Sequence, residues 1–166
     1  MEVVELQIFQ FKELDEQAKQ KAREWYRQGI EYPWFGEAKD SLKAFCDHFN
    51  VTVKDWNLGD GRGYVKTDAE QRHFRGVKLS EQDRDAMPTG VWLDAELFQH
   101  FYHEFKRTGD AKGAFDDALH NFVRAVAKDV DNYYSAECID DTMEANEWTF
   151  TADGKFYPYW NNYDKS

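Results

Sequence analysis

Between residues 129 and 153 the sequence has no Lys or Arg, although the 166-residue chain carries 21 of them. The same stretch holds eight acids: Asp129, Asp131, Glu137, Asp140, Asp141, Glu144, Glu147 and Asp153. Cysteine is scarce as well. Cys46 and Cys138 are the only two, far apart and in no ligand-type spacing, and Cys46 lies on an apolar helical stripe where a buried free thiol is expected. No run approaches eighteen apolar residues, and no basic start leads into an apolar segment. A reducing cytosol, with no membrane, is therefore the expected location. Catalytic signatures are missing too. There is no GxSxG and no HExxH. Gly59-Asp60-Gly61-Arg62-Gly63 lacks the strand-to-helix setting and the Lys-Ser/Thr ending of a phosphate loop, so it reads as a hairpin tip. The expectation is a protein that is not an enzyme and needs no cofactor.

What is present is aromatic and acidic. The chain has 13 Phe, 9 Tyr and 6 Trp, and 42% of its residues are hydrophobic. That composition argues against disorder, and the length suits one domain with a ring-rich core. Net charge is −11, divided as −1 over residues 1–80 and −10 over residues 81–166. Such a chain is repelled by nucleic acid and by anionic membranes, and it is drawn to basic protein surfaces, including the nucleic-acid grooves of other proteins. The same charge also serves plain solubility. Tyr133, Tyr134, Trp148 and Phe150 are threaded through the acidic run, and such rings supply contact area beside steering carboxylates.

The chain in order predicts an α+β domain over residues 1–160, followed by a loose tail over 161–166. Strands are expected at 3–9, 51–57, 63–67, 147–151 and 155–159, forming a mainly antiparallel sheet with amphipathic helices packed on one face. Asp15 can cap a helix that Gly29 stops. Trp25 and Tyr26 join its apolar stripe, while Lys19, Lys21, Arg23, Arg27, Glu16 and Glu24 form its solvated face. Helices follow over 35–49, from Ser80 to about Met87, from Asp94 (a capping candidate) to near Gly109, through Phe115 to Tyr133, and over 137–146. Asp153-Gly154 between aromatic runs is a strong hairpin signal.

Two clusters invite a metal. His100 and His103 stand within a turn of Glu104 and Glu96, but among core-type Phe98, Phe101 and Phe105, so a polar helix face is expected instead. Glu137, Asp140, Asp141 and Glu144 share one helical face, as Mg²⁺-binding carboxylates do, yet no base accompanies them and the field repels phosphate. No metal site is expected from either. The one locally basic segment, with Arg62, Lys66, Arg72, Arg75 and Lys78, offers internal partners for the acids.

The opening Phe9-Gln10-Phe11-Lys12-Glu13-Leu14-Asp15-Glu16-Gln17-Ala18-Lys19-Gln20-Lys21-Ala22-Arg23-Glu24-Trp25-Tyr26-Arg27 resembles the start of a family of small acidic bacteriophage and prophage proteins. The closing Ala145-Asn146-Glu147-Trp148-Thr149-Phe150-Thr151-Ala152-Asp153-Gly154-Lys155-Phe156-Tyr157 is similar to that family's end. The two segments cover about a fifth of the chain. Members are often labelled as antitoxins, so the resemblance implies a phage-type setting in a bacterial cytosol and a binding role. Joined to the electrostatics, it gives the expected function: a non-enzymatic inhibitor of a host nucleic-acid-targeting defence system, such as a CRISPR effector or a restriction nuclease. The docking residues would be Asp129, Asp131, Glu137, Asp140, Asp141, Glu144 and Glu147, with Trp148, Tyr157 and Trp160 as aromatic anchors. An antitoxin that neutralises a cognate toxin and a metal-dependent enzyme are the alternatives. Rings on the last hairpin would equally build a homodimer.

Overall fold

The computed structural model describes residues 3, 5–59 and 62–158. The class is α+β with antiparallel pairing, and helices dominate it: 57% helix against 9% strand among the described residues. The strands form two separate two-stranded pairs among the described residues, where the sequence suggested one sheet. The chain divides into two compact units, Met1–Tyr32 with Asp131–Ser166, and Pro33–Val130.

In the first unit β1 (Phe9–Gln10) pairs with β4 (Thr149–Phe150). A 3-10 turn, Phe11–Glu13, then leads to α1 (Glu16–Gln28). Asp15 starts α1 as its side chain accepts from the Ala18 N–H at 2.8 Å, and Gly29 ends it, both as the sequence indicates. The last helix, α6 (Ala136–Ala145), is capped by Ser135, whose hydroxyl accepts from the Cys138 N–H. Phe11, Leu14, Ala18, Ala22, Ile139, Met143 and Phe150 form the buried core. The Asp-Gly hairpin is present: Phe150 bridges Phe156, and the Thr151 N–H donates to Lys155 O at 2.8 Å. Gly154 has φ +87°, and a Cβ there would lie 2.2 Å from the Ala18 carbonyl oxygen. Only glycine fits both the conformation and the space.

Three expectations fail here, because a strand partner is missing, a backbone turns left-handed, or a distant acceptor is present. The strand expected over 3–9 shrinks to Phe9–Gln10, and Val3 and Leu6 are exposed, because alternation forms a strand only where another strand meets it. Glu147 takes φ +52°, which interrupts the extended run and starts β4 at Thr149. Arg23 and Arg27, assigned to a solvated face, are tied inward, Arg23 to Asp140 and Arg27 through Nε to the Tyr134 carbonyl at 3.1 Å. Tyr159, Trp160 and the tail lie outside the described residues.

The second unit holds α2 (Phe35–His48), the hairpin β2 (Val53–Asn57) and β3 (Tyr64–Thr67), and the short α3 (Glu81–Arg84). It also holds α4 (Leu93–Thr108) and most of α5 (Ala111–Tyr133). Ser80 caps α3, whose span is shorter than the run to Met87 suggested. Gly109 closes α4 in the left-handed conformation, φ 70°, the usual helix stop. Phe45 sits at the centre of the core, stacked on Phe115 at 5.3 Å and edge-on to Phe98 at 5.0 Å. Asp94 does not cap the N–H groups of its own helix. It is fully buried one residue into α4, and its carboxylate accepts from the N–H groups of Thr89 and Gly90 and from the Thr89 hydroxyl. The Thr89 hydroxyl also meets Ser41 Oγ at 3.1 Å, which ties the 88–90 turn to α2. A buried carboxylate with this many donors is satisfied.

Candidate functional site

The acidic face belongs to α6. Ile139 and Met143 are one turn apart and buried, so they pin one side of this helix to the core. At 3.6 residues per turn, Glu137, Asp141 and Glu144 then fall on a narrow stripe on the other side, spanning about 10 Å along the axis. All three are exposed, and their carboxylates make no hydrogen bond or ion pair among the described residues. Asp131 and Glu147 are also exposed and unpaired there. A line of unneutralised carboxylates on a clamped helix projects a fixed negative potential.

Asp140 departs from the docking set. It turns toward α1 and accepts from Arg23 Nε and Nη2, both at 2.7 Å, while Arg23 Nη1 reaches Glu16 at 3.1 Å. Arg23 is buried, and its guanidinium lies 5.6 Å from the centre of the Phe11 ring. Its pKa is held above its already high value, chiefly by the Asp140 hydrogen bonds against the opposing effect of burial, with Glu16 adding to the rise. Asp140 is thus a structural clamp. Helical spacing groups it with Glu137 and Asp141, and its partner lies 117 residues away in sequence, so no local signal reveals the pairing.

The other named residues divide. Asp129 is half-buried on α5 and lies in the other unit. Trp148 packs against Tyr26, Trp25 and Phe156 at 5.7, 6.1 and 5.7 Å, as part of the core's edge. Tyr157 is half-buried, and its backbone is tied to Thr149, which donates through Oγ1 to the Tyr157 carbonyl at 2.6 Å. Trp160 lies outside the described residues. The ring that sequence reading misplaced is Trp25: it is 41% exposed and stacked on Phe156 at 4.6 Å. Its ring also meets Phe150 edge-on at 6.3 Å, so it lies on the apolar stripe but at the rim of the core.

The cluster around His100 and His103 loses its carboxylates to other partners. Glu104 pairs with Arg107 at 2.6 Å, which holds its pKa below the ordinary value, and Glu96 accepts from Asn121 Nδ2 at 2.9 Å. Among the described residues no group of three or more His, Cys, Asp or Glu is placed to hold a metal ion. In the basic segment Arg72 pairs with Glu70 and Lys66 lies over the Tyr64 ring, so both use local partners. Cys46 is buried, and burial pushes its thiol up to about 12, which removes it as a nucleophile near neutrality. No described helix is long and apolar enough to cross a membrane. Comparison with protein-family models, curated proteins and solved structures gives no match.

Proposed function

We propose that the chain works by binding rather than by catalysis, as an inhibitor whose acidic α6 face docks on a basic protein surface. The nucleic-acid groove of a host defence nuclease or CRISPR effector is the partner class that suits this charge. The observation that carries the reading is the exposed, unpaired stripe of Glu137, Asp141 and Glu144 on a helix fixed by Ile139, Met143 and Asp140. A rigid array of negative charge competes with phosphates for a basic groove, and its rigidity lowers the ordering cost of docking.

The test is functional. Bacteria carrying a defined CRISPR or restriction system are challenged with a targeted plasmid, with and without the chain expressed. The wild-type chain should restore transformation, and Glu137→Lys with Asp141→Lys and Glu144→Lys should abolish that effect while leaving the fold intact. Asp140 is excluded from the set, since its loss weakens the helix itself. With a purified effector, the triple variant should bind about 10- to 100-fold more weakly at 0.15 M salt, and added salt should narrow the gap. Relief of no system, or full activity of the triple variant, defeats the proposal. Rescue of cells expressing a toxin encoded beside the gene would install the antitoxin reading in its place.

A further inference from the structure

The second unit carries a groove of about 660 Å³ that the acidic-face reading does not use. One wall is α2, through Lys39, Leu42, Lys43 and Asp47, which recur at helical spacing. The other wall is the consecutive run of residues 51–56. Side chains alternate between the two faces of a strand, so a groove lying on one face would touch every second residue. Within β2 the groove touches Val53, Lys54, Asp55 and Trp56 in succession, across a register shift between Val53 and Asp55 that breaks the alternation locally. β2 is paired on one side only among the described residues, by β3; the groove is lined by α2 and by no described residue of β3, which puts it along the other side. An open strand edge facing a helix accepts an extended peptide as an added strand, with the main chain giving affinity and the wall giving specificity.

The charges select the occupant. Of the two carboxylates in the lining, Asp47 is paired with Lys43, and Asp55 accepts from the Tyr64 hydroxyl at 2.9 Å. The two other lysines, Lys39 and Lys54, are exposed and have no ion pair or hydrogen bond among the described residues. They stand on opposite walls, whose apolar lining is buried Leu42 and Val51 with half-buried Val53 and Trp56. We infer that this groove binds an extended, acidic protein segment as a third strand beside β2, its alternate apolar side chains on that lining and its carboxylates against Lys39 and Lys54. The site is independent of α6 and of opposite polarity.

An mRNA-displayed library of random decapeptides, selected on the purified full chain and counter-selected on its Lys39→Glu, Lys54→Glu variant, supplies the probe. Both lysines are exposed, so the variant keeps the fold. Enriched peptides should combine Asp or Glu with β-branched residues and lack central proline. Bound to ¹⁵N-labelled protein, they should shift the amides of residues 39–47 and 51–56. The double charge reversal should weaken them about tenfold or more, and N-methylation of alternate peptide amides should abolish binding. Enrichment of basic or helix-forming sequences, shifts confined to other segments, or indifference to N-methylation would overturn the inference. So would glutamate alone binding as well as the peptide, or self-association of the chain through this edge.

Discussion

Replacing Asp140 by Ala removes the carboxylate that neutralises a nearly buried arginine. The guanidinium side chain is 10% exposed and the Asp140 side chain 23%, and the two share a pair of 2.7 Å bonds. Removing one partner of a fully buried ion pair costs about 3–5 kcal/mol, mostly as the penalty for the stranded charge. Asp140 keeps some contact with water, and Glu16 remains as a second acceptor, though its side chain is 74% exposed and contributes little. The expected loss is therefore about 2–3 kcal/mol, or roughly 4–12 °C in Tm. Scanning calorimetry and urea titration would measure it. Three controls define the cause. Glu16→Gln should cost less than about 0.5 kcal/mol, as exposed pairs do. Arg23→Met with Asp140→Leu should recover most of the loss, because no buried charge is left without a partner. The Asp140→Ala defect should persist at high salt, since a pair this enclosed is weakly screened. A loss under 0.5 kcal/mol, or its disappearance in 1 M NaCl, would show that α6 is not anchored by this clamp.

Gly154→Ala should destabilise the chain by at least about 2 kcal/mol, since a positive φ and a close carbonyl act together. Gly90→Ala, at φ +75° with nothing within 4 Å of the added carbon, should pay only the conformational part, about 1 kcal/mol; equal Tm losses would mean the Ala18 contact does not matter. For the cysteines, a thiol reagent at pH 8 should modify half-exposed Cys138 and spare Cys46 until urea unfolds the chain. The Cys46 thiol ionises only near 12 when folded and at about 8.5 when unfolded. Its contribution to stability is therefore complete at neutral pH and declines as pH rises between those values. Rapid native modification of both thiols would contradict the burial of Cys46.

Local chemistry carried the legible part of the fold. Asp15, Ser80, Gly29, Gly109 and the Asp153-Gly154 turn each act within a few residues of themselves, so they mark element boundaries in sequence as they do in structure. Failures cluster where a distant segment decides the outcome. Whether residues 3–9 form a strand depends on how far β4 extends beyond Phe150, and there the chain turns back at once through the Thr151–Gly154 turn. Whether Arg23 is solvated depends on Asp140. Asp94 looks like a cap from its place before an apolar run, but the donors it satisfies belong to the preceding turn. Periodicity placed Glu137, Asp141 and Glu144 on one exposed face with Asp140 beside them. It had no means of showing that one of the four is internally neutralised.

The charge asymmetry changes meaning once the fold is known. Divided by sequence at residue 80, the excess lies almost wholly in the second half. Divided by units, Met1–Tyr32 with Asp131–Ser166 holds 15 acids and 7 bases, a net of −8, and Pro33–Val130 holds the remaining −3. The acids of α4 and most of α5 thus belong to a nearly balanced unit, where Lys112 with Asp116 and Arg107 with Glu104 form local pairs. The strongly acidic unit is the smaller one, built from the two ends of the chain. There the principal buried cation, Arg23, is consumed by Asp140, which leaves Glu137, Asp141 and Glu144 without compensation. A steering potential arises from charges that are both uncompensated and held in place. By that criterion the acidic half reduces to one helix, and if the proposed docking on α6 holds, charge reversal on α5 at Asp116 or Asp117 should leave binding of a basic partner unchanged where reversal on α6 removes it.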